Sequence, residues 1–106
     1  MAYAESGDYK KSIVEYKKSI YFYDFYPETH YNLGNAYLAL NQTQNAMDEY
    51  EKSIKIDKYF YYPYIKLYEL YTKTNDLQSK EALLKKVETL AEVNKTFNSI
   101  LIQFKN

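Results

Sequence analysis

Apolar residues recur along the chain at steps of three and four, which is the spacing of one face of an α-helix. In the middle of the sequence, Leu33, Tyr37 and Leu40 form one such stripe. A second stripe follows after a short polar break and comprises Ala46, Tyr50, Ser53 and Ile54. Two amphipathic stripes joined by a short connection predict an antiparallel helix hairpin with small residues at its closest approach.

Helix-breaking residues divide the rest of the chain in the same way. With only two Gly and two Pro, the sequence lacks the turns of a β-sandwich or barrel, and an all-α fold is predicted. The pattern predicts a short remnant over about 1–6 and helices over about 8–22, 27–40, 43–56, 62–74, 77–93 and 95–104.

The connections carry residues suited to helix ends. Gly7, Asn41 and Asn75 are predicted to adopt the left-handed conformation that ends a helix. Asp8 and Asp76 are the predicted N-caps of the helices that follow. Two prolines, Pro27 and Pro63, stand where a first helical turn tolerates a missing amide hydrogen.

These features repeat at a fixed interval. Gly7, Asn41 and Asn75 are separated by 34 residues each, as are Tyr3, Tyr37 and Tyr71. Residues 15–20 (Glu-Tyr-Lys-Lys-Ser-Ile) and residues 49–54 (Glu-Tyr-Glu-Lys-Ser-Ile) agree at five of six positions at the same offset. A period of this length is typical of stacked-repeat proteins.

The repeat unit resembles the tetratricopeptide repeat. Residues 33–37 (Leu-Gly-Asn-Ala-Tyr), residues 46–50 (Ala-Met-Asp-Glu-Tyr) and Ser53 match its signature. The resemblance implies stacked antiparallel helix hairpins, an α-solenoid of about two and a half repeats with a C-terminal capping helix. It divides a single domain, 1–106, into a partial repeat (1–26), a repeat (27–60), a degenerate repeat (61–94) and a C-terminal helix (95–106). We therefore expect the chain to be the C-terminal piece of a longer repeat array.

The third repeat departs from this pattern at three close-packed positions. Tyr68 stands where Gly34 stands in the second repeat, Lys80 replaces Ala46, and Val87 replaces Ser53. Larger side chains at these points predict a hairpin that is splayed or packed in an altered register.

Composition and charge argue against several functional classes. Fourteen basic and fourteen acidic side chains balance, which disfavours a nucleic-acid partner. The chain has no Cys and a single histidine, His30, so a multi-histidine metal site is excluded, and no cofactor or catalytic motif is found. His30 is interpreted as a surface or packing residue, and Asp48, Glu49 and Glu51 as a solvated helix flank. We predict that the chain is not an enzyme.

No membrane-spanning run and no signal peptide are visible in the sequence, so a cytoplasmic location is the default expectation.

The resemblance implies that the first helix of each hairpin lines a concave groove for a protein or peptide partner. The groove-facing residues would be Ala4, Glu5, Glu28, Tyr31, Asn32, Asn35, Leu38, Tyr62, Ile65, Lys66, Glu69 and Lys73. Some family members clamp two carboxylates with Lys, Asn and Arg. Only Asn32 matches that clamp and Lys66 could replace its arginine, without the bidentate fork, so the clamp is not predicted.

The fifteen tyrosines fall into two groups. The family places packing residues at Tyr3, Tyr9, Tyr16, Tyr37, Tyr50, Tyr64 and Tyr71. The surplus lies in two segments, a first aromatic junction (21–26) and a second aromatic junction (59–64). Such density is typical of interaction surfaces, while packing between repeats is the other interpretation.

The C-terminal part of the chain has heptad spacing. Its apolar seam consists of Leu83, Val87, Leu90, Asn94, Phe97, Leu101 and Phe104. One interpretation is a continuous helix that would self-associate into a homo-oligomer through this seam. The favoured interpretation is a break at Asn94-Lys95, with Thr96 capping a last helix that folds back over the stack.

Overall fold

The computed structural model describes residues 6–106 and is helical throughout that range, without a β-strand. Its helices are α1 (Ser6–Phe22), α2 (Pro27–Ala39), α3 (Thr43–Ile56), α4 (Tyr62–Lys73), α5 (Leu77–Ala91) and α6 (Lys95–Lys105). The chain divides into two compact units after Phe60. Unit 1 contains α1–α3 and unit 2 contains α4–α6. The all-α prediction is confirmed.

One asparagine turn links the two helices of each hairpin. Asn41 has φ 61° and Asn75 has φ 58°, the left-handed conformation predicted for both. Each turn is closed by an equivalent 2.9 Å backbone hydrogen bond, from Gln42 N to the Tyr37 carbonyl and from Asp76 N to the Tyr71 carbonyl. The prolines Pro27 and Pro63 lie in the first turns of α2 and α4, as predicted.

Of the predicted N-caps, Asp76 is confirmed and Asp8 and Thr96 are wrong. In the described residues α1 covers Ser6–Phe22 and includes Gly7 and Asp8, so neither of them ends or caps a helix. Asp76 does cap α5, accepting from Ser79 N. The cap of α6 is Asn94 rather than Thr96, because the Asn94 side chain accepts from the amides of Thr96 and Phe97.

The core of unit 1 lies between α2 and α3. A Cβ atom added to Gly34 would come within 2.7 Å of Cε1 of Tyr50, so the missing side chain lets the tyrosine ring lie directly on the α2 backbone. The Ser53 hydroxyl donates a 2.7 Å hydrogen bond to the Pro27 carbonyl and ties the other end of the hairpin. The buried apolar residues of this core are Leu33, Ala36, Tyr37, Ala46, Met47, Tyr50 and Ile54.

Helix α1 packs on α2 with one face only. The inward positions of α1, Tyr9, Ile13, Tyr16 and Ile20, are half-buried, and no described residue of α1 is fully buried. Tyr9 and Tyr16, predicted as core residues, are therefore only partly buried. Tyr3, predicted with them, lies outside the described residues.

Unit 2 has a different core because α6 folds back against α5. Phe97 of α6 is fully buried and meets Tyr64 edge-on, with ring centroids 5.1 Å apart. The predicted break before Lys95 is thus confirmed. The buried apolar residues of unit 2 are Tyr64, Leu67, Leu70, Tyr71, Leu83, Val87, Leu90, Phe97 and Ile100.

Tyr68 accounts for the altered packing of the second hairpin, which is formed by α4 and α5. Its ring stacks on Phe104 of α6 at 3.9 Å with an interplanar angle of 4°, and its hydroxyl donates to the Phe104 carbonyl at 2.9 Å. Lys80 Nζ lies 4.8 Å from the centre of the same ring, a cation–π contact. Tyr68 therefore packs toward α6, and α4 and α5 contact each other less extensively than α2 and α3 do.

Candidate partner-binding surfaces

Helix α2 carries five of the predicted groove residues, and the structure separates them by role. Glu28 and Asn32 are exposed, while Tyr31, Asn35 and Leu38 are half-buried. Tyr31 packs against the ring of Tyr50 at 5.7 Å and so belongs partly to the hairpin itself. Glu28 and Asn32 are therefore the members of this set most open to a partner.

The side chain of Asn35 is bonded within the hairpin and also lies beside Asn32. Its Oδ1 accepts a 2.5 Å hydrogen bond from the hydroxyl of Tyr50, which orients the carboxamide. Its amide group is then held at the edge of the hairpin, beside Asn32 one turn earlier. Two carboxamides on one helix face provide both donors and acceptors for a peptide backbone.

A shallow cleft between α1 and α2 brings these asparagines together with residues of α1. The cleft has a volume of about 260 Å³, and we call it the α1–α2 cleft. It is lined by Tyr9, Ser12 and Tyr16 of α1 and by Asn32, Asn35, Ala36 and Ala39 of α2. Sequence reasoning missed the α1 wall, although the 34-residue offset between Tyr16 and Tyr50 marked that helix as a hairpin's second half.

Helix α4 carries the other predicted groove residues, all within unit 2. Tyr62, Glu69 and Lys73 are exposed, and Lys66 and Ile65 are half-buried. The Tyr62 ring stacks on Tyr61 at 4.3 Å. Lys66, Glu69 and Lys73 form no ion pair with another described residue. Ala4 and Glu5, also predicted for the groove, lie outside the described residues.

A hydrogen-bonded cluster around the buried His30, here called the His30 cluster, was not predicted. His30 is 3% exposed, and its ring nitrogens lie 2.6 Å from an Asp24 oxygen and 2.7 Å from a Glu49 oxygen. The other Glu49 oxygen accepts from Lys52 at 3.3 Å. Glu49 is itself buried, so the prediction that it lies on a solvated flank is wrong, whereas Asp48 and Glu51 are exposed. The cluster ties the α1–α2 turn to α3.

The two aromatic junctions differ in exposure. In the first, all five aromatic side chains are exposed by 59% or more, led by Tyr21 at 83%. In the second, the unit 1 residue Phe60 is half-buried and meets Tyr31 edge-on at 5.7 Å. In unit 2, a side-chain hydrogen bond with Tyr62 raises the pKa of Tyr61 above its ordinary value. Every aromatic side chain of the first junction is thus exposed, whereas Phe60, Tyr61 and Tyr64 of the second are half-buried or buried.

The repeat pattern, the hairpins and the asparagine turns agree with matches to two family models. The family model described as "Tetratricopeptide repeat" matches residues 27–60, and the one described as "TPR repeat" matches residues 2–41. Together they match more than half of the chain. The chain belongs to the tetratricopeptide repeat family. Repeats of this family are in general protein–protein interaction modules and non-enzymatic scaffolds. No curated protein is significantly similar to the chain.

In this tetratricopeptide repeat chain the C-terminal seam is used internally. Leu83, Val87, Leu90 and Phe97 are buried in unit 2, and Leu101 and Phe104 are half-buried. The seam is therefore split between two helices that face each other, and it is not the continuous exposed stripe that a coiled coil requires.

Across 6–106 no three histidine or acidic side chains are grouped as metal ligands. None of the six helices described combines the length and the apolar character needed to cross a bilayer.

Proposed function

We propose that the chain is a non-enzymatic interaction module that holds a segment of a protein partner in the α1–α2 cleft of unit 1. The observation that carries this proposal is the meeting of Asn32 and Asn35 with the α1 side chains in one open cleft. Asn32 is exposed and can pair with a peptide backbone, while Tyr9 and Tyr16 supply apolar area with polar tips.

Unit 2 contributes a second set of partner-binding residues in this proposal. Tyr62, Lys66, Glu69 and Lys73 share one helix, α4, and three of them carry charges without an ion-pair partner among the described residues. Tyr64, Leu67 and Tyr71 of that helix are buried, 34 residues after His30, Leu33 and Tyr37. This equivalence supports our proposal that 61–94 is a third, divergent repeat.

The first aromatic junction is a second candidate surface for a protein partner. Five exposed aromatic side chains within residues 21–26 exceed what isolated surface residues account for. Tyrosine and phenylalanine are enriched at interface cores. A partner bound here would contact the turn between α1 and α2 and would leave Asn32 unaffected.

A peptide-library selection against the full chain tests the proposal. Selected peptides are titrated into isotope-labelled chain, and the amide shifts that change are mapped. We expect changes at α1 and α2 along the cleft, and an affinity that falls about tenfold in Asn32→Ala. The matched control is Asn98→Ala, an exposed asparagine on α6. Equal affinities for both variants, or shifts confined to residues 21–26, would contradict the assignment to the cleft.

A further inference from the structure

The ring of His30 joins two parts of unit 1 through its two nitrogens. It belongs to the single histidine of the chain, and this residue is 3% exposed. Nδ1 lies 2.7 Å from Oε1 of Glu49 on α3, and Nε2 lies 2.6 Å from Oδ1 of Asp24 in the turn between α1 and α2. Each ring nitrogen therefore faces a carboxylate oxygen at hydrogen-bond distance.

The number of hydrogens on the ring decides which of these contacts are hydrogen bonds. A neutral imidazole has one N–H group and one nitrogen lone pair, whereas an imidazolium has two N–H groups. An ionised carboxylate only accepts hydrogen bonds. At pH values where both carboxyl groups are ionised, both contacts are hydrogen bonds only if the ring is an imidazolium. A neutral ring would direct a lone pair at one of the two carboxylates and lose that bond.

The two carboxylates differ in what the loss of that bond costs. The side chain of Glu49 is 11% exposed, and the side chain of Asp24 is 51% exposed. A buried carboxylate without its donor is costly, whereas water can hydrate one that is half exposed. A neutral His30 therefore keeps its hydrogen on Nδ1, where it donates to Glu49, and the bond from Nε2 to Asp24 is the one that is lost.

The charged groups around the ring come from the turn and from α3. Asp24 and Glu49 contact its nitrogens, and Lys52 reaches Glu49 from one turn further along α3, at 3.3 Å. On α2 itself, Glu28 is exposed. No side chain in the described part of α1 bonds to the ring or to either carboxylate. The protonation of the ring is therefore the change that acts directly on the contact with Asp24.

Asp24 lies in the middle of the first aromatic junction. Two backbone hydrogen bonds flank it, from Tyr23 N to the Ser19 carbonyl at 2.8 Å and from Thr29 N to the Tyr26 carbonyl at 3.2 Å. The contact with the buried ring thus fastens this turn to the α2–α3 hairpin from the side. Its loss would leave the turn held by the backbone bonds at its two ends.

This arrangement is particular to one junction of the repeat chain. Thirty-four residues after Asp24, His30 and Glu49 stand Lys58, Tyr64 and Leu83. That set contains neither a histidine nor a carboxylate, so the packing of a repeat does not require the arrangement.

We propose that His30 is a pH-sensitive tether of the turn between α1 and α2. With the ring protonated, the turn is fastened to α3 through Asp24, His30 and Glu49. When the ring gives its proton to water, the bond to Asp24 opens and the bond to Glu49 remains. The turn is therefore held on the acidic side of the histidine's titration and released on the alkaline side.

Nitrogen NMR of the isotope-labelled full chain tests the order of these events. The ring signals belong to one residue and are recorded from about pH 5 to about pH 9, a range that brackets ordinary histidine titration. We expect an imidazolium at the acidic end and a neutral ring with its hydrogen on Nδ1 at the alkaline end. A neutral ring with its hydrogen on Nε2 would overturn the proposal, because the contact with Asp24 would then be the one retained.

Amide hydrogen exchange measures the release of the turn. After correction for the intrinsic pH dependence of exchange, protection of the Tyr23 and Thr29 amides should fall about tenfold across the titration. The amide of Gln42, which closes the turn between α2 and α3, is the internal reference and should keep its protection. Unchanged protection at Tyr23 and Thr29, or an equal fall at Gln42, would overturn the proposal.

Asp24→Asn should abolish the pH dependence without unfolding the chain, because Asp24 is exposed. A carboxamide accepts from an imidazolium through its oxygen and donates to a neutral ring through its nitrogen, so the tether should hold in both states. The matched control is Asp48→Asn, at an exposed site on α3, which should keep the tenfold change. A tenfold change that survives in Asp24→Asn would contradict the assignment. None of these measurements involves a partner, so their outcome is independent of the proposed function.

Discussion

The hairpin of α2 and α3 and the hairpin of α4 and α5 share their period and their turns, yet they hold together by different means. In the first, Gly34 brings the Tyr50 ring onto the backbone of the facing helix. In the second, the equivalent residue is Tyr68, which turns to Phe104 of α6. One hairpin is closed by its own two helices, and the other depends on a third.

The difference teaches which positions of a repeat are interchangeable. The asparagine turns are the same in both hairpins because they depend only on local backbone conformation. The packing between the two helices differs between the hairpins, because a large residue on one helix must be matched by space on the other. In unit 2 the ring of Tyr68 packs outside its hairpin, against Phe104 of α6.

The largest effect is expected from removing the α6 anchor. Phe97→Ala should lower the free energy of unfolding of unit 2 by about 4 kcal/mol, because Phe97 is fully buried against Tyr64. Chemical denaturation followed by circular dichroism measures the loss, and amide hydrogen exchange locates it. Ile102→Ala, at an exposed site on the same helix, should cost far less. An unchanged exchange pattern in α4 and α5 would mean that unit 2 does not depend on α6.

Filling the glycine should break the other hairpin. Gly34→Leu is expected to destabilise unit 1 by about 3 kcal/mol, since even a Cβ atom would meet the Tyr50 ring at 2.7 Å. Gly7 is the control, because no atom lies within 4 Å of its added Cβ. Gly7→Ala should instead stabilise α1 by up to about 1 kcal/mol. Equal thermal midpoints for Gly34→Leu and wild type would refute the close approach.

In the second hairpin the positions equivalent to His30 and Glu49 are Tyr64 and Leu83, so removing the centre of the His30 cluster sharpens the contrast between the hairpins. His30→Ala should cost about 2 kcal/mol, because the buried Glu49 loses its buried hydrogen-bond partner and keeps only the contact with the exposed Lys52. Lys52→Ala removes an exposed partner of the same carboxylate and should cost under about 1 kcal/mol. Urea denaturation of both variants compares them. A larger loss for Lys52→Ala would show that the histidine is not the main partner of Glu49.

The smallest effect should be the same in both hairpins. Asn41→Ala and Asn75→Ala each place alanine at a positive φ and should each cost about 1 kcal/mol. Thermal unfolding of the two variants is the measurement. A difference between them comparable to the cost itself would indicate that the turns are not equivalent.

Much of the fold followed from local signals. Prolines and asparagines marked the helix ends, so the observed helix bounds agree with the predicted ones to within about two residues, the usual uncertainty of helix ends. The cap of α6 was misassigned to Thr96 because Asn94 and Thr96 are both good capping residues. The structure chose Asn94, whose carboxamide reaches two free amides.

The contacts between distant residues could not be predicted in the same way. The pair of His30 and Glu49 joins different helices, and the stack of Tyr68 on Phe104 spans 36 residues and involves a helix with no counterpart in the repeat. The α1 wall of the cleft could have been predicted from the sequence, because residues 15–20 match residues 49–54 at five of six positions.

The ring of Tyr50 lying on Gly34 has a consequence for how such a chain can change. At the positions equivalent to Gly34 and Tyr50 the second hairpin has Tyr68 and Leu84, so its large aromatic residue is on the earlier helix. A pair of the Gly34–Tyr50 kind can change into a pair of the Tyr68–Leu84 kind by single substitutions in one order only. The ring must be lost from the later helix first, because a side chain at the glycine position would collide with it.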